Sequence, residues 1–182
     1  MTVIHPCDDI SAEELTTQLL DLNGPSYMRT TRNKVPRMYE DGDKLRIGKG
    51  SVLKEGDDLA IFSCGVMVVE AMAASDTLSA EGIQCSVVDM HTIKPLDKSL
   101  ISKLATRCGC FVSAEDHSVI GGLGSALSEW IAANNPIPLE MVGVKDIFGQ
   151  SGSSSELMEI MGLTQTDICE AARRAVGRKN SL

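Results

Sequence analysis

A chain of 182 residues with 43% apolar residues, 3% aromatics and a net charge of −8 can core one domain and a remainder without staples. The acidity and the shortage of aromatic faces exclude a nucleic-acid module, which needs a basic surface and exposed rings. No apolar run approaches the ~20 residues that cross a bilayer, and six scattered cysteines without a CxxC pair read as small buried hydrophobes in a reducing cytoplasm.

Residues 2–5 predict a short strand stopped by Pro6. Ser11 with Glu14 forms a capping box for a helix whose Leu15, Leu19 and Leu22 make one apolar stripe. Asn23-Gly24-Pro25 breaks that helix. Residues 26–31 are extended, and the polar, proline-containing stretch through Gly50 reads as a linker. One strand-helix-strand crossover leaves open strand edges and an uncovered apolar face. The opening unit is therefore expected to be the end of a larger sheet, completed by another chain or cut short.

From Asp57 the pattern alternates. Strands are predicted at 59–64, 83–90, 110–114 and 139–144, and helices at 66–80, from the Asp97 cap to 106, at 126–133, 154–161 and 165–176. Near-continuous apolar strands between helices indicate a sheet covered on both faces. The predicted fold is α/β: a three-layer α/β/α sandwich with a mostly parallel sheet, preceded by a partial βαβ unit. The 66–80 helix is apolar nearly all round, so it is expected to be buried, within the domain or against a second subunit.

Gly121-Gly122-Leu123-Gly124 follows a strand and opens a helix, but a dinucleotide turn needs a glycine where Leu127 stands and an acidic residue after the next strand. The glycines are read as steric instead. His117, beside Glu115 and Asp116 at a strand end, has the position of a general base but no accompanying nucleophile, so a structural hydrogen bond is expected. His5 and His91 are equally unaccompanied. Cys108 and Cys110, two positions apart, would share one face if both lay in a strand, without the further ligands a metal site requires. Asp8 and Arg32 each follow a strand of the opening unit and are expected on one rim of its sheet. The Arg32 fork suits a phosphate, and Asp8 can accept from a sugar hydroxyl.

The runs Val88-Asp89-Met90-His91-Thr92-Ile93-Lys94-Pro95-Leu96-Asp97, Ala114-Glu115-Asp116-His117-Ser118-Val119-Ile120-Gly121-Gly122-Leu123-Gly124-Ser125 and Val142-Gly143-Val144-Lys145-Asp146-Ile147-Phe148-Gly149-Gln150-Ser151-Gly152, in this order, resemble the C-terminal domain of transketolase-like proteins. Residues 1–40 resemble the end of the preceding pyrimidine-binding domain. The resemblance divides the chain into a pyrimidine-domain remnant at 1–40, a linker at 41–56 and the C-terminal domain at 57–182. It implies transfer of two-carbon ketol units between sugar phosphates in the pentose phosphate pathway, by a cytoplasmic homodimer that uses thiamine diphosphate and Mg. Pro6-Cys7-Asp8 looks like the family's Pro-Ala-Asp segment, whose aspartate contacts a substrate hydroxyl. Arg32-Asn33-Lys34-Val35-Pro36 looks like the segment whose arginine holds the substrate phosphate.

No catalytic, cofactor-binding or metal-binding residue is carried over. The family's glutamate beside the aminopyrimidine lies upstream of this stretch. Gly56-Asp57-Asp58 lacks the second glycine of the Gly-Asp-Gly turn, and no asparagine stands between Asn33 and Asn134. The chain is therefore expected to bind no cofactor alone and to work only with an N-terminal transketolase section or the remainder of its polypeptide, as a truncated gene or a misplaced start would require. Deoxyxylulose-phosphate synthase shares the glycine turn, but Phe148-Gly149-Gln150-Ser151-Gly152 looks more like transketolase. The β subunits of 2-oxo acid dehydrogenases share Lys-Pro-Leu-Asp without the Glu-Asp-His-Ser run. A non-catalytic dimerisation module is the alternative from another class.

Overall fold

A computed structural model describes residues 1–181. In chain order its elements are β1 (Thr2–Ile4), α1 (Asp9–Leu19), β2 (Ser26–Met28), β3 (Ser51–Lys54), β4 (Leu59–Ser63), α2 (Met67–Ala80), β5 (Cys85–Asp89), β6 (Thr92–Lys94), α3 (Lys98–Cys108), β7 (Phe111–Ser118), α4 (Leu123–Asn134), β8 (Leu139–Val144), α5 (Ser154–Met161) and α6 (Gln165–Lys179).

The larger sheet runs β3-β5-β4-β7-β8. Its four strands β5, β4, β7 and β8 are parallel, and β3 joins the edge antiparallel to β5. Side chains alternate across the pleat. Leu59 and Ile61 of β4 pack with α2 and α6 residues such as Met67, Leu78, Ile168 and Ala172. Ala60 and Phe62 face Ile101, Leu104, Leu123 and Leu127 of α3 and α4. The Phe62 and Phe111 rings meet edge-on at 4.8 Å. The result is the three-layer α/β/α sandwich that the apolar strands predict.

The smaller sheet runs β2-β1-β6. The β1–β2 pair is parallel, Thr2 opposite Ser26 and Ile4 opposite Met28, which is the expected βαβ unit. Its third strand is unexpected: β6, from the later part of the chain, lies antiparallel on β1. One of the two edges expected to be open is thus closed from within, and β2 keeps the other. β3 likewise lies inside the stretch read as linker. The capping box of α1 also sits one turn earlier than the sequence pattern implies. Asp8 is the N-cap and Ser11 its reciprocal partner, because the extended backbone at Asp8 brings its carboxylate over the first turn. Glu14 pairs with Lys44 instead.

A third cluster joins the two sheets: Ile4, Cys7, Ile10, Leu15, Tyr39 and Leu45 pack against Val68 of α2. Burial within the chain therefore accounts for most of the apolar surface of α2, with Val69 and Met72 left half-buried. Among the described residues no helix is long and apolar enough to cross a membrane.

Candidate functional site: a cleft on the rim of the smaller sheet

Because β1 and β2 are parallel, the loops that leave their C-terminal ends rise from one rim, where open α/β sheets place ligands. Residues 6–9 and 30–37 enclose a cleft of about 430 Å³ there, lined by Cys7, Asp8, Thr31, Asn33, Lys34 and Arg37 among others. Arg32 stands exposed on the same strip, between two lining residues. The structure therefore brings the sequence-predicted pair, Asp8 and Arg32, to one rim, in different states.

Asp8 is 5% exposed. Its Oδ1 accepts from the Ser11 amide at 2.8 Å and the Ser11 hydroxyl at 2.6 Å, and its Oδ2 from the amides of Met38 at 2.8 Å and Tyr39 at 3.0 Å. A carboxylate has about four acceptor sites, and all are taken. Further contacts strap the following residues along α1. Arg37 grips Asp9 in a fork, with its Nη2 at 2.5 Å. Lys44 bonds Glu14 at 2.6 Å, and the Gln18 carboxamide bonds the Leu45 carbonyl and the Ile47 amide. On its other side the strip 31–36 borders a second cleft of about 450 Å³, walled by Val66 and Val69 near α2 and by Leu157, Met158 and Met161 of α5.

Beneath the cleft lies a buried polar group that sequence reading missed. Asp89, at the end of β5, is fully buried. Its Oδ2 accepts from the Tyr39 hydroxyl at 2.9 Å and the Cys7 thiol at 3.4 Å, while Oδ1 has no partner. Burial pushes the Asp89 carboxyl up to about 7, against the pull of the Tyr39 and Cys7 hydrogen bonds. Burial beside Asp89 also raises the Cys7 thiol and the Tyr39 phenol. His91 is buried, shares Nδ1 with the Thr92 hydroxyl at 3.1 Å, and is pushed down to about 4 by desolvation. His5 is held near 4 by burial, with the Arg29 and His117 charges adding to it. Its Nδ1 lies 3.7 Å from Asp116, which a bidentate Arg29 also holds.

The glycine turn is filled by this chain's own carboxylate. Glu115, 1% exposed, accepts from the Leu123 and Gly124 amides, both at 2.8 Å, so it occupies the N-terminus of α4 where a ligand phosphate would otherwise sit. A Cβ on Gly122 would fall inside that carboxylate, and one on Gly124 would meet the Met141 sulfur and the Ser113 hydroxyl. Desolvation raises the Glu115 carboxyl, opposed by those two amides. His117 is half exposed and its Nδ1 meets the Ser118 carbonyl at 2.8 Å.

The donor set does not fit a diphosphate and its metal. At Gly56-Asp57-Asp58 the Gly56 amide and carbonyl are both bonded to the Ser86 hydroxyl, Asp58 accepts from the Gln84 amide, and Asp57 pairs with Arg107. This corner is stapled to β5 and α3, with no free hard-oxygen set for a hydrated ion. Among the described residues no three His, Cys, Asp or Glu side chains converge as a metal centre. A larger cleft, about 920 Å³, opens at the N-terminal end of β8, but both its arginines, Arg174 and Arg178, are paired to Glu140.

A family model described as transketolase, C-terminal domain, matches residues 48–168. The chain is 41% identical over 180 residues to the 6-deoxy-6-sulfo-D-fructose transketolase subunit of Clostridium sp. (strain MSTE9), covering 99% of this chain and 56% of that protein. It is 36% identical over 173 residues to an apulose-4-phosphate transketolase subunit of Phocaeicola vulgatus, covering 94% and 55%. A solved structure of a split-gene transketolase, an inactive beta4 tetramer, matches with a TM-score of 0.96 at 40% identity, covering 98% of this chain and 59% of that one. The chain thus spans somewhat over half the length of these relatives.

Proposed function

Since this chain belongs to the transketolase C-terminal domain family, we propose that it is the C-terminal part of a transketolase-type enzyme that moves two-carbon ketol units between sugar phosphates, and that an N-terminal section must complete it. The observation that supports this reading is the rim cleft: a strip with Arg32 and Lys34 stands over the C-terminal ends of β1 and β2, while the polar groups of Gly56, Asp57 and Asp58 are committed to Ser86, Arg107 and Gln84. The names of two relatives, a sulfofructose and an apulose phosphate transketolase subunit, each carry an acidic group, which supports an arginine at the far end of the substrate.

In this reading Arg32 clamps the phosphate through its planar fork. Asp8 fixes the strip that carries Arg32, and a sugar hydroxyl reaches the Asp8 carboxylate only by displacing one of its four present donors. Thiamine diphosphate and Mg are supplied with the N-terminal section, and the cofactor gives the ketol unit its carrier. Residues 1–40 are the end of a pyrimidine-binding domain, 41–56 connect it to the C-terminal domain at 57–182, and the completed enzyme is a cytoplasmic assembly with two copies of this chain.

Calorimetric titration with thiamine diphosphate and Mg tests the division of labour. The purified chain alone is expected to give no heat of binding. The same chain mixed with a candidate N-terminal section is expected to bind both and to transfer a ketol unit to ribose 5-phosphate. Saturable cofactor binding by the chain alone refutes the reading.

A further inference from the structure

Residues 29–50 contain neither helix nor strand, and the strip from Thr31 to Pro36 has a cleft on each side. Packing therefore does little to fix the height and angle of Arg32, and the tethers at the end of the strip decide them. One set runs to α1: the Met38 and Tyr39 amides on Asp8, and Arg37 on Asp9. Another tether crosses to the larger sheet: the Tyr39 hydroxyl on Asp89 of β5, fifty positions away in the chain. Tyr39 is only 8% exposed, an aromatic anchor at the end of a largely exposed strip. Asp89 is deeply enclosed and one of its oxygens has no partner, so a dipole pointed at the other oxygen is strongly held in this low-dielectric setting.

We propose that Tyr39 and Asp89 are positioning residues, whose hydrogen bond between the two sheets holds the 31–38 strip, and Arg32 with it, in the geometry that receives the anionic group of the substrate. The substrate half of this inference rests on the ketol-transfer reading above; the tether itself rests on geometry alone. Asp8 and Asp89 grip the same residue from opposite sides, one through its amide and the other through its hydroxyl. Loss of the hydroxyl leaves the Tyr39 ring in its apolar cluster and the Met38 and Tyr39 amides on Asp8, but it removes the polar tie to the larger sheet, so the strip that carries Arg32 is held less firmly on the rim.

Arg32, Lys34 and Arg37 are themselves tryptic sites, so native-state cleavage reports the tether directly. In the full chain Tyr39→Phe is expected to be cut there about tenfold faster than the parent, the factor that one lost hydrogen bond to a carboxylate gives for local opening. Asp89→Asn, which keeps an acceptor for the Tyr39 hydroxyl, is expected to be cut at the parental rate, and Asp89→Ala at the fast one, with melting temperatures recorded alongside. In the enzyme completed with an N-terminal section, Tyr39→Phe is expected to raise KM for a phosphorylated acceptor about tenfold at unchanged kcat, with KM for an unphosphorylated acceptor unmoved. Parental cleavage rates in Tyr39→Phe overturn the tether. An equal KM rise for both acceptors overturns the positioning role. If the parental mixture transfers no ketol unit, the ketol-transfer reading falls, and the tryptic rates still decide the tether.

Discussion

Asp8 and Arg32 stand on one rim, yet their side chains are in opposite circumstances. The Asp8 carboxylate is saturated by the Ser11, Met38 and Tyr39 amides and the Ser11 hydroxyl, whereas the Arg32 guanidinium is exposed beside the cleft. Arg32→Ala in the completed enzyme is accordingly expected to weaken phosphorylated acceptors by ~1.5–3 kcal/mol, the scale of a charged hydrogen bond, as read from kcat/KM. An equal loss with unphosphorylated acceptors would remove Arg32 from the phosphate role. Buried Asp89 makes a second prediction. Its carboxyl titrates near 3.8 when unfolded and about 7 when folded, so its contribution to stability is full below about pH 4 and is lost as pH rises to 7. His5 and His91 act in the opposite sense. Their folded values of about 4 lie below the ordinary 6.5, so their contribution is present above pH 6.5 and lost as pH falls to 4. Asp89→Asn removes only the first effect. Its stability relative to the parent, measured by urea unfolding, is expected to improve by a few kcal/mol between pH 4 and 7 and to stay level above; parallel curves would show that Asp89 is not held protonated. The rim pair is readable from strand-end position and residue chemistry. Asp89 is not, because what buries it, Tyr39, arrives from fifty positions away and leaves no local signal.

Strands buried on both faces are the elements most legible in the chain. β4, β5 and the first five residues of β7 are buried at every position, and such runs need a sheet with helices above and below; β8, at the edge, is legible from its apolar residues although Met141 is exposed. β3 and β6 escape notice because β3 directly follows a polar, proline-containing stretch and β6 runs straight into Pro95, and each is specified by a partner elsewhere in the chain. The apolar pattern starts α4 three residues late for a related reason: its first turn, Leu123-Gly124-Ser125, follows a glycine N-cap with no capping side chain. The cap comes from Glu115 at the end of the preceding strand. Glu115→Ala leaves two helix N–H groups without an acceptor and is expected to cost about 2–4 kcal/mol. Gly122→Ala pushes a methyl into the same carboxylate and is expected to cost a similar amount. Because both changes break one contact, the double variant should lose clearly less than the sum. Additive losses in urea unfolding would mean that the glycine serves something other than room for Glu115.

The whole molecule is tied across the boundary that the family resemblance draws at 41–56. β6 pairs with β1, the His5 amide donates to the His91 carbonyl at 2.8 Å, Arg29 forks onto Asp116, and Val68 seals the cluster around Ile4 and Leu15. The three-layer class is legible from alternation alone; this stitching is not, since it depends on which edge of a three-residue strand finds a neighbour. A version trimmed to residues 48–182, close to the span that the family model matches, would uncover β6 and Val68. It is expected to melt at lower temperature than the full chain and to self-associate through the freed strand, as seen by light scattering; an equally stable monomer would show the stitching to be dispensable.

That join has a consequence for how such a polypeptide can be shuffled by recombination. A crossover placed in residues 41–50 looks harmless, since it cuts no helix or strand, yet the incoming segment would have to match a foreign β6, a foreign Asp89 and a foreign Asp116 at once. The first forty residues and the sandwich behind them should therefore be exchanged together in a chimera, because their contacts are made side chain by side chain across the join.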